Sequence, residues 1–258
     1  DPRTGESPYA HWPSLDAAAQ SFGGLVHAND GLVTPAIADI FPGTLMALGV
    51  VSAMHSAQRS GKGQFLDVGM YDAMMAFQKS AVAQYGFTGK PNPAGLQRAM
   101  TLYPFDLFPT KDGRIAIAVG QPRHWDLLCA AMERADLMED ERSFSNEARL
   151  ANVDWVEAQI CAWTQTQTRA EIMAKLDGAI PIGPVQTMAD IYADPHVQAR
   201  GMLETCSPAG DNPDIALAAS PIKFSATPTT LYQRPPTLGE HNAEVLAEFG
   251  IEPPKRNG

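Results

Sequence analysis

Helix and strand signals alternate along the chain, and they predict an α/β protein with more than one domain. Three observations carry this reading. Residues 44–60 are apolar on nearly every face, and a turn at 59–64 (Arg-Ser-Gly-Lys-Gly-Gln) leads from them into residues 65–70, where Leu66, Val68 and Met70 share one face of a short strand. Residues 103–108 and 114–119 flank Lys111-Asp-Gly113, an Asp-Gly turn signal that predicts a β-hairpin. Thr168, with Glu171 three residues on, opens a helix to Leu176 as a capping box, and Ile180-Pro-Ile-Gly-Pro-Val185 then enters a strand.

Taken in order, residues 1–13 are rich in Pro, Gly and Ser and predict an extended entry. A helix follows from Ser14 and ends at Gly23-Gly24, with Asp16 in its first turn and Gln20 one turn later. Pro42 and Gly43 open the helix of residues 44–60, and Gly61 supplies its left-handed end. Its apolar faces predict a buried helix. Asp39 then lies just ahead of its N-terminus, where unpaired N–H groups favour an anion and keep the carboxylate ionised.

A second helix, from Asp72 to Tyr85-Gly86, carries Met74, Met75, Phe77 and Val82. Residues 88–96 form a Gly/Pro-rich linker, after which a smaller domain begins. Gly120-Gln121 leads into a helix through Met132, and helices cover 146–163 and 168–176. Asp194 caps a helix that has Pro195 first and Gly201 at its end. The chain closes with a strand at 222–224, a Pro-rich crossing at 235–242 fixed by Glu240 and His241, and a helix at 243–249. The domains are thus 1–95, 96–215 and 216–258.

At 258 residues and 27.7 kDa the chain is long enough for two domains, and 45% hydrophobic with 19% charged residues marks it as globular. A net charge of -10 and pI ≈ 5.0 argue against nucleic acid or an anionic membrane as partner. Three widely spaced cysteines, Cys129, Cys161 and Cys206, suit neither a disulfide framework nor a zinc site, which points to a reducing cytoplasm and no metal. Ser52, His55 and Gln58 interrupt the longest apolar run short of the roughly 20 residues that span a bilayer, so the sequence predicts a soluble protein.

The Asp39-to-Gly43 segment, the apolar helix, the 59–64 turn and the Asp67-Val68 to Asp72-Ala73 stretch occur in an order that resembles the class III CoA-transferase family. That family contains formyl-CoA, carnitine and benzylsuccinate CoA-transferases and the α-methylacyl-CoA racemases. Ser7-Pro-Tyr9, the 180–185 strand entry, Asp194-Pro to Arg200-Gly201 and Pro236 to His241 resemble further family motifs, so the likeness covers almost the whole chain.

The resemblance implies a Rossmann-like large domain, of which this chain holds part, a smaller α+β domain and a C-terminal segment that returns to the large one. It implies Asp39 as the nucleophile that takes the acyl group from CoA, Tyr9 near the active site, Gln20 facing substrate, and a homodimer of interlinked rings. Surface packing of Tyr9 and helix capping at Asp16 are the plain structural alternatives. Racemases of the family carry a Gly-His-Asp whose histidine is replaced here by Leu15; proton exchange at carbon needs two acid/base groups, so a transferase is favoured over a racemase or isomerase. Family members begin with a nucleotide-binding half that carries much of the CoA-phosphate contact. This chain resembles the remainder, and a non-catalytic partial domain needing such a partner is the other reading.

One carboxylate suffices for such chemistry. The substrate, an acyl-CoA thioester, is already activated, and a desolvated aspartate can attack it to give a mixed anhydride and CoA thiolate, with the acyl group or CoA then exchanged onto a small carboxylate. CoA thus enters as substrate, and no permanently bound cofactor is required. Backbone N–H groups at Gly23-Gly24 or Gly120-Gln121 are candidates to receive the developing oxyanion, or are simply turns. Arg59 and Lys62, with Lys90 and Arg98, are candidates for the CoA phosphates, although the dipole of the preceding helix alone accounts for the first two.

Overall fold

The structure, a computed structural model, describes residues 7–95, 98, 100–208, 213–229 and 234–251. The first six residues of the entry segment, Leu96 at the end of the linker and the last seven residues lie outside them. The chain divides into two compact units, Asp1–Pro184 and Val185–Gly258.

The first unit begins with the helices α1 (Asp16–Phe22), α2 (Leu25–Asn29), α3 (Ile37–Ser60), α4 (Met70–Phe77) and α5 (Lys79–Thr88). Ala19, Leu25, Ala38 and Met74 form a small core among them. Gly23 marks the closest approach of α1 to α4, because a Cβ at that position would overlap the Cβ of Met74. Gly61 ends α3 as predicted: at φ 71° its N–H donates to the Ala57 carbonyl at 2.8 Å.

Five expectations for this region need correction. Helix α3 starts at Ile37, not Thr44, with Pro42 inside it and buried, so Asp39 stands in the first turn. Proline removes only one N–H from the ladder, and a carboxylate from outside the helix, that of Asp16, holds the turn before it in place. Second, α3 is not buried. Only Ala38 and Pro42 are, while Leu48, Val51 and Met54 are 64%, 65% and 58% exposed. Apolar composition calls for a cover without saying which polypeptide supplies it.

Third, α3 is long and apolar enough, by length and composition alone, to cross a membrane. Of Ser52, His55 and Gln58, the polar residues expected to interrupt it, Ser52 is silenced, its Oγ donating to the Leu48 carbonyl four residues back at 2.8 Å. Fourth, residues 65–70 form no strand: 62–69 run without regular structure and Met70 starts α4. A strand needs a ladder partner, and none lies beside this segment among the described residues. The second predicted helix also breaks in two at Gln78, whose side-chain amide donates to the Gly23 carbonyl.

The predicted hairpin is present. β1 (Phe105–Thr110) and β2 (Gly113–Ala118) pair antiparallel with Thr110 opposite Gly113, leaving Lys111-Asp112 as a two-residue turn. After α6 (Pro122–Ala131), a 3-10 turn (Ala135–Met138), α7 (Asn146–Ala151), α8 (Val153–Thr164) and α9 (Arg169–Leu176), strand β3 (Ile182–Pro184) adds antiparallel to the other edge of β2. Tyr103, Phe108, Ile115, Ile117, Trp125, Leu128, Val156, Ile160 and Ile172 are fully buried between sheet and helices. Thr168 and Glu171 make the predicted capping box. The single helix expected over 146–163 is divided at Asn152, whose side-chain amide and backbone N–H both donate to the Ala148 carbonyl, at 2.9 and 3.1 Å.

The second unit holds α10 (Met188–Ala193), α11 (Pro195–Ala199), the antiparallel pair β4 (Leu203–Cys206) and β5 (Ile215–Ala218), and α12 (Asn242–Glu248). Asp194 caps α11 as predicted, accepting the His196 N–H at 2.7 Å. The strand expected at 222–224 lies instead at 215–218, where β4 offers a partner; Pro221 begins the unpaired stretch that follows. Every strand pair among the described residues is antiparallel, and the protein is mixed α/β.

Candidate active site

The residue just ahead of α3, Ala36, has no side chain able to cap a helix. Asp16 of α1 takes that place from 22 positions away: its Oδ1 accepts the Ala38 N–H at 2.9 Å, while Oδ2 accepts from Gln20 Nε2 at 2.8 Å. Gln20 is fully buried, and its amide spans the backbone of Val33, donating to the carbonyl at 3.0 Å and accepting the N–H at 2.9 Å. The segment that delivers Asp39 is therefore pinned to α1 at Val33 and again at Ala38.

Asp39 itself is exposed. Its N–H and that of Ile40 donate to the Ala36 carbonyl at 3.0 Å, Ile37 N–H turns back to Pro35, and Ala38 is held by Asp16. All four first-turn donors of α3 are engaged, so the unpaired N–H groups expected beside Asp39 are absent among the described residues.

The other sequence candidates are placed as follows. Tyr9 packs edge-on against Trp12 (5.3 Å between centroids) and at a tilt against Phe22 (5.1 Å), and Phe22 reaches Tyr71 of α4 (5.6 Å), giving a half-exposed aromatic cluster. Gly23 and Gly24 donate their N–H groups to the Ala19 and Ser21 carbonyls, so neither amide is free for an oxyanion. Gly120 N–H donates to His124 Nδ1 at 3.3 Å. Gln121 stands just before Pro122 at the start of α6 and makes no capping side-chain bond, and Gly120 and Gln121 line a pocket of about 270 Å³ together with Asn146 and Arg149. Arg59 and Lys62 are exposed at the far end of α3, about 30 Å from Asp39 at 1.5 Å per residue, so the structure does not bring these cations to the carboxylate. Among the described residues no three His, Cys, Asp or Glu side chains gather to hold a metal ion.

Two residues gain importance only in the structure. In the sequence Asp16 reads as an ordinary first-turn acid, and its role depends on a contact that is non-local. Arg149 belongs to no motif, although it precedes Val153, Val156 and Ile160 at helical spacing on an otherwise buried stripe.

The first unit thus carries a reachable carboxylate in the first turn of an apolar helix and, in the same compact unit, an antiparallel three-stranded sheet packed with helices. The model of CoA-transferase family III matches residues 3–242, and the chain belongs to that family. It is 38% identical over 257 residues to a succinyl-CoA:mesaconate CoA-transferase of Haloarcula hispanica, covering 97% of this chain and 64% of that protein. It is 34% identical over 251 residues to a succinate–glutarate CoA-transferase of Agrobacterium fabrum, covering 94% and 62%. The crystal structure of a CAIB/BAIF family protein from Brucella suis superposes with a TM-score of 0.77 at 30% identity, over 94% of this chain and 65% of that one. The chain thus spans a little under two thirds of the length of these relatives.

Proposed function

We propose that this chain is the acyl-accepting portion of an enzyme that moves CoA between small carboxylic acids, with Asp39 as covalent nucleophile. The observation that carries it is Asp39 standing unobstructed in the first turn of a helix fixed by Asp16, in a member of a family whose similar proteins are named as transferases for succinate, mesaconate and glutarate. The carboxylate attacks the thioester carbonyl, a C–O bond forms, the C–S bond breaks, and CoA leaves as thiolate. Exchange of the two acids through the anhydride and re-attack by the thiolate restore Asp39 and yield the new thioester. No redox change and no net proton transfer occur.

An anhydride in water hydrolyses, so the exposed Asp39 requires a cover that the described residues do not provide. The open apolar sides of α3 are where such a cover docks, through a nucleotide-binding partner segment or a second copy in a homodimer. The Rossmann-like large domain and the main CoA-phosphate contacts belong to that assembly, with Arg59, Lys62, Tyr9 and Gln121 as this chain's own contributions. A cytoplasmic location accords with free thiol groups at Cys129, Cys161 and Cys206. The racemase alternative is disfavoured by Leu15, which stands 79% exposed with no acid/base function.

The test is transfer of CoA from succinyl-CoA to labelled free mesaconate or glutarate, by the chain alone and with an added nucleotide-binding half. Transfer that falls on the order of 10⁴-fold in Asp39→Asn supports the enzyme reading. Undiminished transfer in that variant overturns the role of Asp39. Absence of transfer from both preparations favours the second reading, a non-catalytic partial domain, which the exposure of Asp39 motivates.

A further inference from the structure

The pocket that ends the three-stranded sheet contains a charge which the proposed reaction does not use. Arg149 is 3% exposed, yet no carboxylate pairs with it among the described residues. Nε donates to the Tyr103 carbonyl at 2.6 Å, one terminal nitrogen donates to the Ser143 carbonyl at 2.8 Å, and the guanidinium carbon stands 4.8 Å from the centre of the Trp125 ring. The other terminal nitrogen makes no hydrogen bond to a described residue. Burial pulls the guanidinium below its usual range, but an arginine does not lose its proton in a protein, so the charge remains. In direct contact the charge meets only carbonyls and a ring face, with the carboxylates of Glu147 and Asp126 acting from further away, so it is incompletely neutralised.

The same guanidinium lines the 270 Å³ pocket, whose wall also carries Gly120, Gln121 and Asn146. Asn146 is committed to the Tyr103 N–H and the Thr101 carbonyl, and Gly120 to His124. That leaves the free edge of the buried Arg149 as the charged donor of the pocket without a described partner, with the exposed Gln121, whose N–H bonds no described residue, beside it on the wall. The one acid on its wall, Glu147, is exposed at the rim. A guanidinium edge beside a space of this size suits a small planar oxyanion, which it grips in a fixed plane.

We infer that this pocket is an oxyanion-binding subsite, with Arg149 as its buried cation and Gln121 as a backbone donor, sized for a small carboxylate or a single phosphate group. The inference rests on the pocket alone and holds whether or not Asp39 is acylated.

The test is titration of the intact chain with succinate and, separately, with inorganic phosphate, read by NMR shifts of the Arg149 side chain and the Gln121 amide. The expected result is a saturable shift confined to these groups, with at least one of the two anions. Succinate alone identifies a carboxylate subsite, and phosphate alone a phosphate subsite. Arg149→Lys should weaken binding about tenfold, since an ammonium lacks the planar edge. Because that variant risks unfolding, Glu147→Gln gives an independent reading: removal of the rim acid should tighten binding about two- to threefold. Absence of any saturable shift in the unaltered chain, or equal affinity in Glu147→Gln, overturns the inference.

Discussion

Asp16 Oδ1 accepts the N–H of Ala38 at 2.9 Å, so one helix supplies the missing cap of another, one residue before the candidate nucleophile. Asp16→Ala leaves that first turn without its acceptor and should cost about 1–2 kcal/mol, the usual range for a lost cap, in urea denaturation. Asp16→Asn keeps an oxygen in place and should cost less. If the cap also sets the position of Asp39, CoA transfer falls more in the Ala variant than in the Asn variant.

Gly23 is required by proximity. A Cβ at this position would overlap the Cβ of Met74, and turning a flexible side chain cannot relieve the clash, because both atoms are fixed to backbone. Gly23→Ala should therefore push α1 from α4 and destabilise the first unit by about 1–3 kcal/mol, read as a lower urea midpoint. In a double-mutant cycle, a cost of Gly23→Ala that disappears when it is measured in a Met74→Gly background would locate it in that contact.

What the sequence shows well are features set by neighbours a few residues apart. Gly61, the Thr168–Glu171 box, the Lys111-Asp112 turn and the Asp194-Pro195 cap are all legible because each acts within one turn of its own element. The misreadings concern partners. Residues 65–70 alternate like a strand but find no ladder, and the start of α3 is hidden because its cap lies 22 residues upstream. At the candidate site the position of Asp39 is readable, whereas its exposure and the engagement of every nearby N–H are not, since both depend on tertiary contacts.

The open side of α3 carries a further expectation. Leu48, Val51 and Met54, each more than half exposed, place apolar surface on a helix with too few polar residues to keep it solvated. Sedimentation should show concentration-dependent association of the isolated chain, and Val51→Glu with Met54→Glu should reduce it. A chain that stays monomeric at high concentration would remove the apolar face as the place where a cover docks.

A pH response is expected in the second unit. The Arg234 guanidinium and the Thr237 N–H hold the Glu240 carboxyl far down, at about 2. A carboxylate depressed on folding stabilises the native turn above the ordinary glutamate range, and that contribution disappears as pH falls toward 2. The Thr237 amide signal should accordingly hold its position down to acid pH and move with a midpoint of about 2. In Arg234→Gln the midpoint should rise toward the ordinary range. An unchanged midpoint in that variant would show that the ion pair does not set the titration.

Mass analysis of the Asp39 peptide, after incubation of the folded protein with succinyl-CoA and trapping with hydroxylamine, tests the central claim most directly. The proposal predicts an adduct on Asp39 that requires both reagents and is absent from Asp39→Asn. An unmodified Asp39 peptide from a preparation that transfers CoA would contradict it.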